Sequence, residues 1–200
     1  METKNIMIVG VGGQGTLLTS RVFGGLAVRR GFDVKLSEVH GMAQRGGSVV
    51  TFVRYGDSVA EPVVEPGQAD VLIAFERLEA LRYAHFLKKD GVAVVNDHRI
   101  DPVTVLTGAA GYPENIIETL SARYKTVSAD ATALAARMGA PRAFNIVVLG
   151  LVARYLDFSY DEWLSVIETI VPPKTVEMNK KAFEAGYNFF TTLPLKSDKS

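Results

Sequence analysis

Apolar positions fall along this chain in short blocks that switch between two periods. Asn5-Ile6-Met7-Ile8-Val9 is nearly continuous, the pattern of a strand covered on both faces. A glycine-rich turn follows, and Thr16–Arg30 then reads as a helix ending at Gly31, a natural stop signal. Asp33–Ser37 predicts a second strand. The β-branched block Ser48–Tyr55 predicts a third, closed by Gly56-Asp57. Asp70–Phe75 and Gly91–Asn96 are again buried-strand runs, with a helix over Glu76–Leu87 between them, and Thr126–Ser128 can add a short strand. Past about Ala131 the periodicity is helical, over Ala131–Met138, Ala143–Leu156, Tyr160–Ile170 and Thr175–Thr191, with Pro172-Pro173 separating the last two. Strands alternating with helices predict an α/β fold, Rossmann-like, with a mostly parallel sheet flanked by helices and a helical C-terminal part.

The turn between the first strand and the first helix is Gly10-Val11-Gly12-Gly13-Gln14-Gly15, a G-x-G-x-x-G pattern in a strand–turn–helix context. Two readings of it stand side by side. In one, Gly12, Gly13 and Gly15 serve only the close packing of helix on strand. In the other, the N–H groups opening the helix receive a negative group. A dinucleotide site is a special case of the second. It needs an acidic residue about 20 residues on to hold a ribose, and Glu38 lies near that place. No residue set for hydride transfer accompanies it.

A second glycine-rich stretch, His40-Gly41-Met42-Ala43-Gln44-Arg45-Gly46-Gly47, joins the second and third strands. It is expected at the carboxyl edge of the sheet, beside the first turn, where open α/β sheets present ligands. Arg45 offers a fixed cation with a planar donor fork, Gln44 donates and accepts, and His40 adds an imidazole. His85 and His98 read as structural. Asn145, Lys174 and Asn179 can cap, dock or contact a partner, and the sequence does not choose among these roles.

Composition narrows the chemistry. The 200 residues are enough for one domain with a full core, and a formal net charge of zero leaves no basic footprint for nucleic acid. No apolar run reaches the length of a membrane span, and the polar start leads directly into a strand, so a cytoplasmic protein with no signal peptide is expected. There is no cysteine, which removes thiolate chemistry and cysteine-held clusters, and the three histidines suggest no metal site.

Taken together, Val9–Gly15 and Ser37–Gly47 resemble the gamma-type domain of 2-oxoacid:ferredoxin oxidoreductases. The Gly-Met-Ala-Gln-Arg-Gly-Gly form of the loop and the ending Val171-Pro172-Pro173-Lys174…Asn179-Lys180-Lys181-Ala182-Phe183-Glu184-Ala185-Gly186 are most similar to the beta subunits of the indolepyruvate branch. The resemblance implies one gamma-type domain over residues 1–193 with a flexible tail at 194–200. It also implies an accessory subunit, inactive alone, in a complex that converts aryl 2-oxoacids to acyl-coenzyme A and reduces ferredoxin. Thiamine diphosphate, Mg2+ and [4Fe–4S] clusters would reside in a large alpha subunit, with coenzyme A as co-substrate of the complex. The ligand- or partner-facing residues would be Gly10, Gly12, Gly13, Gln14, Gly15, Glu38, His40, Gly41, Gln44, Arg45, Gly46 and Gly47, and no catalytic residue is assigned. Isolated, such a chain can self-associate through the surface meant for its partner. The residues by themselves also leave open a free-standing dinucleotide-dependent oxidoreductase and a nucleotide- or coenzyme A-binding module.

Overall fold

A computed structural model describes residues 1–41 and 46–189. The elements in order are β1 (Lys4–Val11), α1 (Thr16–Arg29), β2 (Asp33–His40), β3 (Ser48–Gly56), β4 (Ala69–Ala74), α2 (Arg77–Tyr83) and β5 (Leu87–Asn96). There follow α3 (Val103–Leu106), α4 (Ile116–Ser121), β6 (Lys125–Ala129), α5 (Ala131–Arg137), α6 (Phe144–Ala153), α7 (Tyr160–Ile170) and α8 (Val176–Tyr187). The strands form one sheet in the order β2-β3-β1-β4-β5-β6. β1, β4, β5 and β6 pair in parallel, whereas β3 runs antiparallel to both β1 and β2. The sheet is therefore mixed: β3 alone opposes the common direction, as the short β2–β3 connection without a crossover helix requires.

The two faces of the sheet are covered differently. Ile6 and Ile8 of β1 face α1, α6 and α7 in the larger core, while Met7 and Val9 face the smaller core under α2 and α4. This is the period-two alternation of a strand buried on both sides. α6 (FNIVVLGLVA) carries no charge and is buried from Asn145 to Ala153, as a helix apolar all round must be. It crosses α8 closely. A Cβ on Gly150 would meet the backbone of Phe183, Gly186 and Tyr187, and one on Gly186 would meet the Val147 carbonyl.

Several expected boundaries shift for local reasons. Gly31 does end α1, in the left-handed conformation at φ 76°. The helix expected over Glu76–Leu87 stops at Tyr83, tightens into a 3-10 turn over Ala84–Phe86, and gives way to β5 at Leu87. Pro141 opens a 3-10 turn ahead of α6, which ends at Ala153 rather than Leu156. α8 is shorter than expected, and the tail assigned to 194–200 lies outside the described residues. α7 starts on a capping box: the Ser159 hydroxyl accepts from the Glu162 N–H at 3.3 Å, and the Ser159 N–H donates to the Glu162 carboxylate at 2.7 Å. α3 and α4 were not anticipated. Among the described residues, no helix is long and apolar enough to cross a membrane.

Candidate functional site

β1 sits at the point where the chain's connections diverge, with β2 and β3 on one side and β4 to β6 on the other. The carboxyl ends of β1 and β4 flank the crevice where such sheets receive ligands. Gln14 spans it. Its Oε1 accepts from the Val11 N–H at 2.7 Å and its Nε2 donates to the Phe75 carbonyl at 3.2 Å. From the β5 side, Asn96 Nδ2 donates to the same carbonyl at 3.1 Å. Phe75 is thus tied to both neighbouring strands. Gly10 must be bare because Gln14 and Phe75 occupy the place of its Cβ.

The two glycine segments meet as expected. Gly12 donates its N–H to the Gly47 carbonyl at 2.9 Å, and Gly41 donates to the Ser48 carbonyl at 3.0 Å. Gly13, Gly15 and Gly46 all adopt positive φ. At Gly15 (φ 90°) a side chain would also run into Asn145, whose amide lies over the turn from the start of α6. No side chain caps the N-terminus of α1, so its leading N–H groups carry their positive end toward this rim. Met42, Ala43, Gln44 and Arg45 lie outside the described residues.

Glu38 is held, not open. One carboxylate oxygen accepts from the Thr16 hydroxyl at 3.1 Å and the Thr51 hydroxyl at 2.7 Å, and the other pairs with His40 Nε2 at 2.8 Å. β3 lies between β1 and β2, so Glu38 is one strand further from the turn than a ribose acceptor would be beside a Rossmann β1. Its partners make it a clamp between α1 and the sheet. Ser48, where the chain leaves the second loop, donates to the buried Glu79 at 2.5 Å, and Arg82 pairs with Glu79 at 2.7 Å.

A cleft of 640 Å³ that sequence reasoning missed lies on the α2 side of the same edge, bounded by Arg77, Asp97, Arg99, Tyr112, Asn115 and Glu118. Arg77 pairs with Asp97, and the Arg99 guanidinium lies 4.2 Å over the Tyr112 ring. Behind it, Glu76 is 1% exposed and caps α2 through the Leu78 N–H, and it also accepts from the Tyr112 hydroxyl at 3.2 Å. Burial pushes its carboxyl up from the ordinary range, against the pull of those donors. The polar run Asn96-Asp97-His98-Arg99 closing an apolar strand was the available signal. Among the described residues, no group of three or more His, Cys, Asp or Glu is placed to hold a metal ion.

The family model described as pyruvate ferredoxin/flavodoxin oxidoreductase matches residues 5–189. The chain belongs to that family. The indolepyruvate oxidoreductase subunit IorB of Thermococcus kodakarensis is 42% identical over 193 residues, covering 93% of this chain and 95% of that protein. Among solved family structures, the gamma subunit of a keto/oxoacid ferredoxin oxidoreductase from Geobacter sulfurreducens matches with a TM-score of 0.68 at 26% identity, covering 95% of this chain and 99% of that one. The fold also recurs in the 2-oxoglutarate:ferredoxin oxidoreductase of Magnetococcus marinus, with a TM-score of 0.74 at 18% identity, where it covers 97% of this chain and 32% of that longer one.

Proposed function

We propose that this chain is the small subunit of a 2-oxoacid:ferredoxin oxidoreductase acting on aryl 2-oxoacids, indolepyruvate foremost. The complex would decarboxylate the oxoacid, pass the acyl group to coenzyme A and deliver two electrons to ferredoxin. The observation that carries this reading is the likeness to IorB across nearly the full length of both proteins. Thiamine diphosphate, Mg2+ and iron–sulfur clusters belong to a larger partner in this reading. The residues here do not fit them: the sequence contains no cysteine, and no metal-ligating cluster occurs among the described residues.

The chain's own part follows from its carboxyl edge. Gly12 to Gly15 and the ends of the second loop offer main chain with few side chains in the way, so another subunit or a ligand can come close. Leu17 at the first turn of α1 and Val39 at the end of β2 are half exposed on either side of these loops, as suits a contact surface. The uncapped α1 terminus and Arg45 supply positive potential for a phosphate or carboxylate of coenzyme A or the oxoacid. Arg45→Ala in the assembled complex tests this part. A raised KM for coenzyme A or for the oxoacid is expected, and unchanged kinetics for both would remove Arg45 from any ligand role.

A further inference from the structure

At the opposite, amino-terminal edge of the sheet lies a cavity of 130 Å³ walled by Phe32, Tyr55, Tyr155 and Phe158. An apolar cavity of about 150 Å³ takes up one benzene ring, so this volume suits a single aromatic ring. Phe32 and Phe158 stand 6.0 and 5.6 Å from the Tyr55 ring, close enough to hold it in one orientation. Tyr55 is 2% exposed and lines the cavity; its hydroxyl makes no hydrogen bond to another described residue, and it is not one of the fully buried polar atoms. Burial also raises its pKa, so the group stays a neutral O–H donor.

Lys4 stands directly opposite Tyr55 in the β1–β3 ladder, and cross-strand partners project from the same face of the sheet. Its ammonium is loosely held, 3.9 Å from Asp70, which already binds Lys88 at 2.9 Å and the Asn5 N–H at 2.7 Å. The other cations at this cavity are committed: Arg30 grips both Glu162 oxygens at 2.7 Å and lies 3.8 Å from Asp157, a carboxylate on the same wall, and the Met1 ammonium pairs with Asp57. A second cavity of 260 Å³ shares Lys4, Tyr155 and Leu156 as walls, leaving room beyond the ring pocket. We propose that this paired cavity is a binding site for a small aromatic monocarboxylate, the ring between the aromatic walls and the carboxylate on the Tyr55 hydroxyl and the Lys4 ammonium. The site lies at the far end of β1 from the glycine turn, roughly 20 Å away at strand rise, so its occupant does not compete with a ligand there.

The single tryptophan reports on occupancy, since Trp163 packs edge-on against Phe158 with ring centroids 6.0 Å apart. Titrating the full chain with phenylacetate while following Trp163 fluorescence and heat of binding gives the test. A saturable response is expected, weakened about threefold or more in Tyr55→Phe and in Lys4→Ala and unchanged in Arg21→Ala. Benzyl alcohol, the same ring without the carboxylate, is expected to bind more weakly still. Absence of saturation, an affinity indifferent to both variants, or equal binding of the alcohol would each overturn the proposal. Tyr55→Phe keeps the ring, and Lys4→Ala is a surface change, so either variant alone keeps the test decisive.

Discussion

Replacing Gln14 tests whether its amide closes the crevice between β1 and β4. Gln14→Ala removes the bond from the Val11 N–H and the bond to the Phe75 carbonyl. The carbonyl keeps its bond from Asn96, and Gln14 is only partly buried, so water can reach the Val11 N–H. At about 1 kcal/mol per net hydrogen bond, the loss is about 1–2 kcal/mol. Gln14→Glu keeps the shape and the acceptor for Val11, yet it turns a carboxylate oxygen toward the Phe75 carbonyl. Two acceptors in contact make it worse than alanine at neutral pH, by about 2–3 kcal/mol in total. The carboxyl in that variant has a folded-state pKa raised above its unfolded value of about 4.3. Its protonated form can donate to Phe75, so the deficit is full at neutral pH and shrinks as the solution is acidified through the raised pKa. Urea unfolding of the wild type and both variants, at neutral pH and near pH 4.5, measures this. A glutamate variant as stable as the wild type at neutral pH, or no worse than the alanine variant, would refute the role assigned to Gln14.

The remaining predictions concern the framework and the turn. Gly150→Ala and Gly186→Ala each drive a methyl into the facing helix backbone, and each should cost about 2–3 kcal/mol in urea unfolding; a loss below about 0.5 kcal/mol would contradict the close α6–α8 crossing. Gly15→Ala should destabilise through both its positive φ and the contact with Asn145, and adding Asn145→Ala should recover only the contact share; full recovery in the double variant would show that the backbone conformation is unimportant. The Arg30 guanidinium, with help from the Ser159 N–H, holds the Glu162 carboxyl down at about 2. That stabilisation is present above the unfolded carboxyl's range of about 4.3 and is lost as the pH falls toward 2. Both partners are about one-third exposed, which limits the effect to about 1 kcal/mol, and Glu162→Gln should flatten stability across that acid window relative to wild type.

Much of the fold was legible because glycine and proline punctuate the apolar blocks. Gly10 to Gly15 marked the β1–α1 turn and Gly31 the helix end, and the helix expected over Ala143–Leu156 appears as α6. Insertion of β3 between β1 and β2 was less visible, since a lone periodicity carries no pairing information. Its clue was a strand-to-strand link without a helix. β5 was read too short because its early residues Lys88-Lys89-Asp90 are polar, and the last two are exposed. The meeting of the two glycine loops was foreseen. The duties of Gln14 and Glu38 were not, because each is set by partners distant in sequence, Phe75 for one and Thr51 and Thr16 for the other. The cleft beside Tyr112 depends in the same way on Arg77, Arg99 and Asn115 arriving from three separate segments.

The most direct test of the proposed role is purification of this chain from its native host through a tag, with the absorption spectrum and 2-oxoacid-dependent ferredoxin reduction of the eluate measured together. A brown eluate holding a larger second polypeptide, active toward indolepyruvate and coenzyme A only when both chains are present, is the predicted result. A colourless eluate with this polypeptide alone, or a partner that is fully active without it, would contradict the subunit assignment.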